Sequence, residues 1–130
     1  MLLLAVVSTS AAAAWFDIGT DKTTTVYADP ATIRREGNLA KMWHLLDLKT
    51  VRIAPGIKRH RYLSSKSRNE YDCDVQLTRV LLRSWYSGNM GRGYVVYRSH
   101  KRGHWQPVPP ESAADLLWHI ACEQMVIARR

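Results

Sequence analysis

Two cysteines, Cys73 and Cys122, are the residues of this chain best suited to covalent chemistry. An even count in a small exported domain favours a disulfide, because such domains form in oxidising compartments and bury only a modest core. Closing the loop between the two positions would stabilise the fold by about 4 kcal/mol in the chain-entropy picture. The alternative is two unpaired buried thiols, as in a cytosolic protein.

A basic segment is the best candidate for a binding patch. The chain carries a formal net charge of +8, which favours anionic partners such as nucleic acid, lipid headgroups, sulfated glycans or acidic protein surfaces. Alternate residues of a strand share a face, so two of the cations should point the same way. The alternative is a solvated strand edge whose charge prevents aggregation. The candidate ligand-binding residues are Lys58, Arg59, Arg61, Lys66 and Arg68.

The remaining polar motifs do not indicate catalysis. A second basic cluster spans 98–104, but its His100 and His104 lack the cysteine or carboxylate partners of usual metal sites. The glycine-rich segment 87–93 lacks the Lys-Ser/Thr ending of a phosphate loop. Neither a Gly-x-Ser-x-Gly elbow nor a His-Glu-x-x-His motif is present. We therefore expect no catalytic residue, no metal site, no cofactor and no enzymatic activity.

The first 14 residues have the pattern of a secretory signal peptide. An apolar run, Leu2–Val7, precedes small residues that include Ala12 and Ala14, which suit the positions read by signal peptidase. The run is far shorter than the roughly 20 residues of a membrane-spanning helix. We expect cleavage before Trp15, a signal peptide at 1–14 and one domain at 15–130, exported to the periplasm, the cell surface or the medium.

The mature chain shows a series of strands followed by one helix. Asp29-Pro30 should break the second strand, because proline lacks the N–H that a ladder needs, and 31–36 should form one helical turn. Ser112 is a plausible N-cap with Asp115 at N3, ahead of an apolar helical stripe. The fold class is α+β, an antiparallel sheet of five to six strands with a C-terminal helix. Strands are predicted at 15–19, 23–28, 39–48, 62–73, 75–86 and 94–97.

The order and spacing of seven short motifs resemble the surface-adhesin protein E family of Gram-negative bacteria. The resemblance extends over nearly the whole mature chain. The motifs are Val26–Ala31, Lys41–Trp43, Arg61–Lys66, Glu70–Cys73, Tyr86–Gly91, Trp105–Pro110 and Leu117–Cys122.

The resemblance implies a six-stranded antiparallel sheet whose C-terminal helix is fastened by a disulfide between Cys73 and Cys122. It also implies a non-enzymatic virulence adhesin that binds host vitronectin, laminin and plasminogen and can form a homodimer. In the family, the vitronectin-binding segment precedes and includes the first cysteine and begins with a basic pair. The corresponding stretch here holds the five cations of the basic segment.

Two other functions compete with adhesion. One is a periplasmic structural or assembly protein that self-associates and has no host ligand. The other is a cytosolic nucleic-acid-binding protein, in which a basic strand interleaved with Tyr62 and Tyr71 holds single strands. Export argues against the second, so we expect no nucleic-acid partner. Polyanionic glycans remain candidate ligands alongside host matrix or serum proteins.

Overall fold

Seven strands and one α-helix make up the part of the chain that the computed structural model describes, residues 14–54 and 60–123. A short 3-10 turn, Asn89–Gly91, follows the fifth strand. The helix α1 spans Ala113–Glu123. The strands are β1 Phe16–Thr20, β2 Thr24–Glu36, β3 Leu39–Ile53, β4 Arg61–Asp72, β5 Leu77–Tyr86, β6 Val95–Ser99 and β7 Gln106–Pro107.

The strands form one antiparallel sheet in the order of the sequence. Strands β1 to β6 follow one another side by side, and the two-residue β7 pairs with the beginning of β5. Simple consecutive pairing suits the short connections between the strands, because antiparallel neighbours need only a turn. The predicted antiparallel sheet with one C-terminal helix is therefore confirmed.

Strand β2 corrects one prediction from the sequence. The strand continues through Pro30 to Glu36, so the predicted break and the predicted helical turn at 31–36 are wrong. The ladder between β2 and β3 shifts its register between Asp29 and Arg34, and Pro30 lies inside this irregular stretch. There Thr32 Oγ1 donates to the Asp29 carbonyl at 2.6 Å and accepts from the Trp43 N–H at 3.0 Å. The Thr32 hydroxyl thus bridges the Asp29 carbonyl and the Trp43 N–H inside this irregular stretch, where Pro30 itself has no N–H to donate.

Helix α1 is capped as predicted and packs on one side of the sheet. Ser112 Oγ accepts the Asp115 N–H at 3.1 Å, which satisfies one of the free donors at the helix start. The helix packs against β1, β2, β3 and β4. Its buried residues Leu117, Trp118, Ile120 and Ala121 meet Val26, Ala28, Ala40, Met42 and Tyr71 of the sheet.

The end of α1 is fastened to the sheet at the corner where β4 ends. Cys73 and Cys122 form a disulfide with a Cα–Cα distance of 5.4 Å, as the family resemblance implied. Next to it, Trp118 Nε1 donates to the Asp72 carbonyl at 2.8 Å and Arg35 Nη1 donates to the Cys122 carbonyl at 2.9 Å. One covalent bond and two hydrogen bonds therefore join α1 to the sheet at this corner.

Alternation along the strands creates two distinct surfaces. Residues opposite one another in a ladder share a face. His44 pairs with Ala28 and therefore lies on the side that carries α1, which we call the helix face. Trp43, one position away, pairs with Asp29 and lies on the other side, which we call the open face.

Within the described ranges, no helix has the length and apolar character needed to cross a bilayer.

Candidate functional site

The open face holds a cavity of about 450 Å³, which we call the open-face cavity. Three aromatic residues, Trp15, Trp43 and Tyr86, line it. Such a volume lies in the range of small-molecule sites, which combine apolar walls with a few polar groups. The principal polar lining residues are Asp29, Lys66, Arg98 and His100.

Sheet register brings these polar residues together from distant parts of the chain. Asp29 of β2 is opposite Trp43 of β3, in one row of the open face. In the next row, Lys66 of β4 is opposite Ser84 of β5, and Ser84 is opposite Arg98 of β6. Because neighbouring strands lie about 4.8 Å apart, side chains that are distant in sequence line a single cavity.

Lys66 lies half-buried inside this cavity. Its Nζ is 5.2 Å from the ring centroid of Tyr86 and 6.0 Å from that of Trp15, so the ammonium group sits over two aromatic faces. Gly91, whose φ of +71° favours glycine, lies against the end of the Lys66 side chain. The ammonium group makes no salt bridge with any described residue. Its charge remains available to a ligand.

Asp29 adds a hydrogen-bond acceptor to the lining of the cavity, and Arg98 adds donors. Asp29 is 4% exposed. Its Oδ1 is buried and has no hydrogen-bond partner among the described residues. Arg98 Nε donates to Ser84 Oγ at 3.1 Å. A buried oxygen without a donor is costly. The cavity therefore offers an unsatisfied acceptor beside cationic donors.

A second surface lies on the helix face of β4, β5 and β6. Tyr62 and Trp85 stack with ring centroids 4.7 Å apart and an interplanar angle of 10°. Trp85 and Tyr97 are also 4.7 Å apart, tilted by 38°. We call these three rings the aromatic row. Exposed Arg52 and Arg83 flank the row, since Arg52 is opposite Tyr62 and Arg83 lies two positions before Trp85. Tyrosine, tryptophan and arginine dominate the binding energy of protein interfaces.

The structure places the predicted basic residues in different surroundings. Arg61 is exposed at the first position of β4. Lys66 and Arg68 share the open face, as alternation indicated, because they are opposite Leu45 and Trp43. Both are half-buried, and Arg68 Nε has no partner among the described residues. Lys58 and Arg59 lie outside the described residues. The binding role of all five stays a prediction.

Register also unites two clusters that the sequence presented as separate. Arg98 and His100 line the same cavity as Lys66, although they belong to the second basic cluster. Sequence reasoning missed Asp29 as a site residue, because Asp29-Pro30 has the signature of a strand break. In residues 14–54 and 60–123, no group of three or more His, Cys, Asp or Glu side chains is arranged to hold a metal ion.

Comparison with known proteins agrees with this architecture. The model of the family described as "Surface-adhesin protein E" matches residues 15–123. A comparison with curated protein sequences finds no match.

Solved structures of Haemophilus influenzae protein E have a similar fold. Crystal form II has a TM-score of 0.61 at 16% identity, covering 76% of this chain and 80% of that one. A selenomethionine form has a TM-score of 0.56 at 16% identity, covering 75% and 78%. Protein E from a non-typeable strain has a TM-score of 0.55 at 15% identity, covering 78% and 71%. The family match spans every described strand and the helix, and the chain therefore belongs to the surface-adhesin protein E family.

Proposed function

We propose that this chain is an exported, non-enzymatic surface adhesin that binds host matrix or serum proteins such as vitronectin, laminin and plasminogen. Family membership over residues 15–123 supports the adhesin assignment. The fold supports it too, because a disulfide-fastened helix suits a domain that must remain folded in an oxidising medium. The named host ligands follow from the family resemblance.

The observation that carries a specific binding surface is the aromatic row with its flanking arginines. Stacked rings hold one another in place, so binding a partner costs them little conformational entropy. Tyr97, at one end of the row, is 46% exposed. Large exposed aromatic side chains grouped on one surface mark an interaction site.

Three cations of the basic segment are candidates for an electrostatic contribution to binding. Arg61 is opposite Ile53, one ladder position beyond the pair of Arg52 and Tyr62. Lys58 and Arg59 precede it in the sequence. Cations at the rim of an aromatic patch accelerate binding to acidic or sulfated partners, and added salt weakens that contribution.

The experiment is a comparison of variants in binding to immobilised vitronectin, laminin and plasminogen, using the exported chain and biolayer interferometry. One variant, Arg83→Ser with Tyr97→Ser, removes two contacts of the proposed surface. A second, called the rim variant, replaces Lys58, Arg59 and Arg61 with alanine and tests whether these cations act at the rim of the aromatic row. The matched control replaces Lys22, Arg34 and Lys101 with alanine, which removes the same number of positive charges elsewhere.

The surface predicts that the first variant loses at least about tenfold in affinity for a host protein, the size of a hot-spot loss. The rim variant should bind more slowly and lose much of its salt dependence, while the control stays within about twofold of the unmodified chain. Equal losses in the rim variant and its control would show that only net charge matters. If the unmodified chain binds none of the three host proteins, the proposal that these proteins are its ligands is wrong.

The second candidate is a periplasmic assembly protein that forms homodimers. It is favoured by one observation, the edge strand β6, where Val95 is 43% exposed beside Tyr94. An exposed strand edge is a template for pairing with another chain. Sedimentation velocity at micromolar concentration tests it: a dimer abolished by Val95→Lys supports edge pairing, and a strict monomer rejects it.

A further inference from the structure

We propose that the open-face cavity binds an acidic sugar, meaning a pyranose ring that carries a carboxylate, at the end of a host glycan. The inference deepens the proposed adhesin function and rests on it for the source of the glycan. It concerns a different surface from the aromatic row. The two sites can therefore be tested apart.

The carboxylate is indicated by the cations that line the cavity. Lys66 is half-buried and makes no salt bridge with a described residue. Arg98 uses its Nε on Ser84 Oγ, which leaves the guanidinium with further donors. His100 lines the same space. A carboxylate placed here would accept charge-assisted hydrogen bonds, whereas a cationic ligand would be repelled.

The hydroxyl groups are indicated by Asp29. Its Oδ1 is an acceptor with no donor in the described part of the chain, and the residue is 4% exposed. A ligand that is only an anion would leave this oxygen unsatisfied and would be repelled by it. A ligand that also carries hydroxyl groups can donate to the carboxylate of Asp29, because Asp29 lines the cavity. Sugar acids combine both groups on one small ring.

The pyranose ring itself is indicated by the aromatic walls. Trp15, Trp43 and Tyr86 line the cavity, and a sugar can bury its C–H groups against aromatic side chains of this kind. The volume of about 450 Å³ accommodates one such ring with a second beside it. Cations, an acceptor and aromatic faces together match a carboxylated sugar better than an aliphatic acid.

The test measures binding of small sugars to the exported, ¹⁵N-labelled chain by NMR. Glucuronic acid and N-acetylneuraminic acid are the probes, and glucose is the matched neutral ring. Titration should shift the indole N–H signals of Trp15 and Trp43. Glucose should bind at least about tenfold more weakly than glucuronic acid, because it lacks the group that meets the cations.

Two variants locate the site within the cavity. Lys66→Gln should weaken the binding of both sugar acids about tenfold, while Lys22→Gln, a lysine in the β1–β2 turn, should leave it unchanged. The comparison of sugars on the unmodified chain and the Lys66 pair of variants decides the question.

The following outcomes would contradict the proposal or separate it from the proposed adhesion. Equal binding of glucose and glucuronic acid, unchanged affinity in Lys66→Gln, or tighter binding of a free amino acid would overturn it. If the chain binds host proteins but neither sugar acid, only the proposed sugar site is rejected. Sugar binding by a chain that ignores all host proteins would instead discard the proposed adhesion through the aromatic row.

Discussion

Lowering the pH from 7 to 4 should destabilise this domain through one buried histidine, His44. The side chain lies on the helix face of β3 and is 8% exposed, and its Nδ1 has no hydrogen-bond partner among the described residues. Burial lowers the pKa of His44 from its usual 6.5 to about 4, with a smaller contribution from the positive charge of Arg83. The folded protein therefore keeps this imidazole neutral at a pH where the unfolded chain protonates it.

The magnitude follows from the two pKa values. Between pH 6.5 and pH 4 the unfolded chain binds a proton at His44 that the folded chain does not, so the free energy of unfolding falls as the pH falls. Each unit of pKa difference is worth about 1.4 kcal/mol. The loss from this group should reach about 3 kcal/mol near pH 4, and above pH 6.5 the group should cause no change.

Urea unfolding followed by tryptophan fluorescence at pH 7, 6, 5 and 4 measures this loss. His44→Leu removes the titrating group from the same buried position, so its stability should change less over the interval from pH 6.5 to 5. His119→Gln, a change at a partly exposed histidine of α1, is the matched control and should keep the steep dependence. Parallel profiles for His44→Leu and the unmodified chain would refute the reasoning.

Three further predictions concern contacts that stabilise the fold. Cys122→Ser opens a loop with a sequence separation of 49 and should cost about 4 kcal/mol in urea unfolding; a loss below about 1 kcal/mol would show that packing alone holds α1. Ser112→Ala removes the N-cap bond to Asp115 and should cost about 1 kcal/mol by thermal unfolding, and no change would mean that the bond is unimportant. Arg79→Met leaves the buried carboxylate of Glu70 without its 2.8 Å partner and should cost about 3 kcal/mol. Adding Glu70→Met should recover most of that loss, and failure to do so would assign it to packing.

Local patterns in the sequence were sufficient for most of the architecture. Runs of β-branched and aromatic residues predicted the strands, and Ser112 predicted the helix start, because both signals act over a few neighbouring residues. Alternation placed Lys66 and Arg68 on one face. Family resemblance, rather than spacing, supplied the pairing of Cys73 with Cys122.

The path of β2 and the open-face cavity depend on interactions that no local pattern contains. Pro30 lies within a strand whose Thr32, two positions later, bonds across to Trp43 of the next strand. The cavity unites Asp29 with Arg98, which requires the register of every ladder from β2 to β6. A one-residue slip in any ladder would turn one of them to the other face, so composition alone could not bring them together.

The central claim is that this protein acts outside the cytoplasm as an adhesin, and its location on intact producing cells tests that claim most directly. One portion of the cells is treated with an external protease, and the chain is isolated from an untreated portion, where mass spectrometry determines its N-terminus and its free thiols. We expect a chain that begins at Trp15, is removed from intact cells by the protease and carries no free thiol. A protected chain that retains residues 1–14 and two free thiols would contradict the claim.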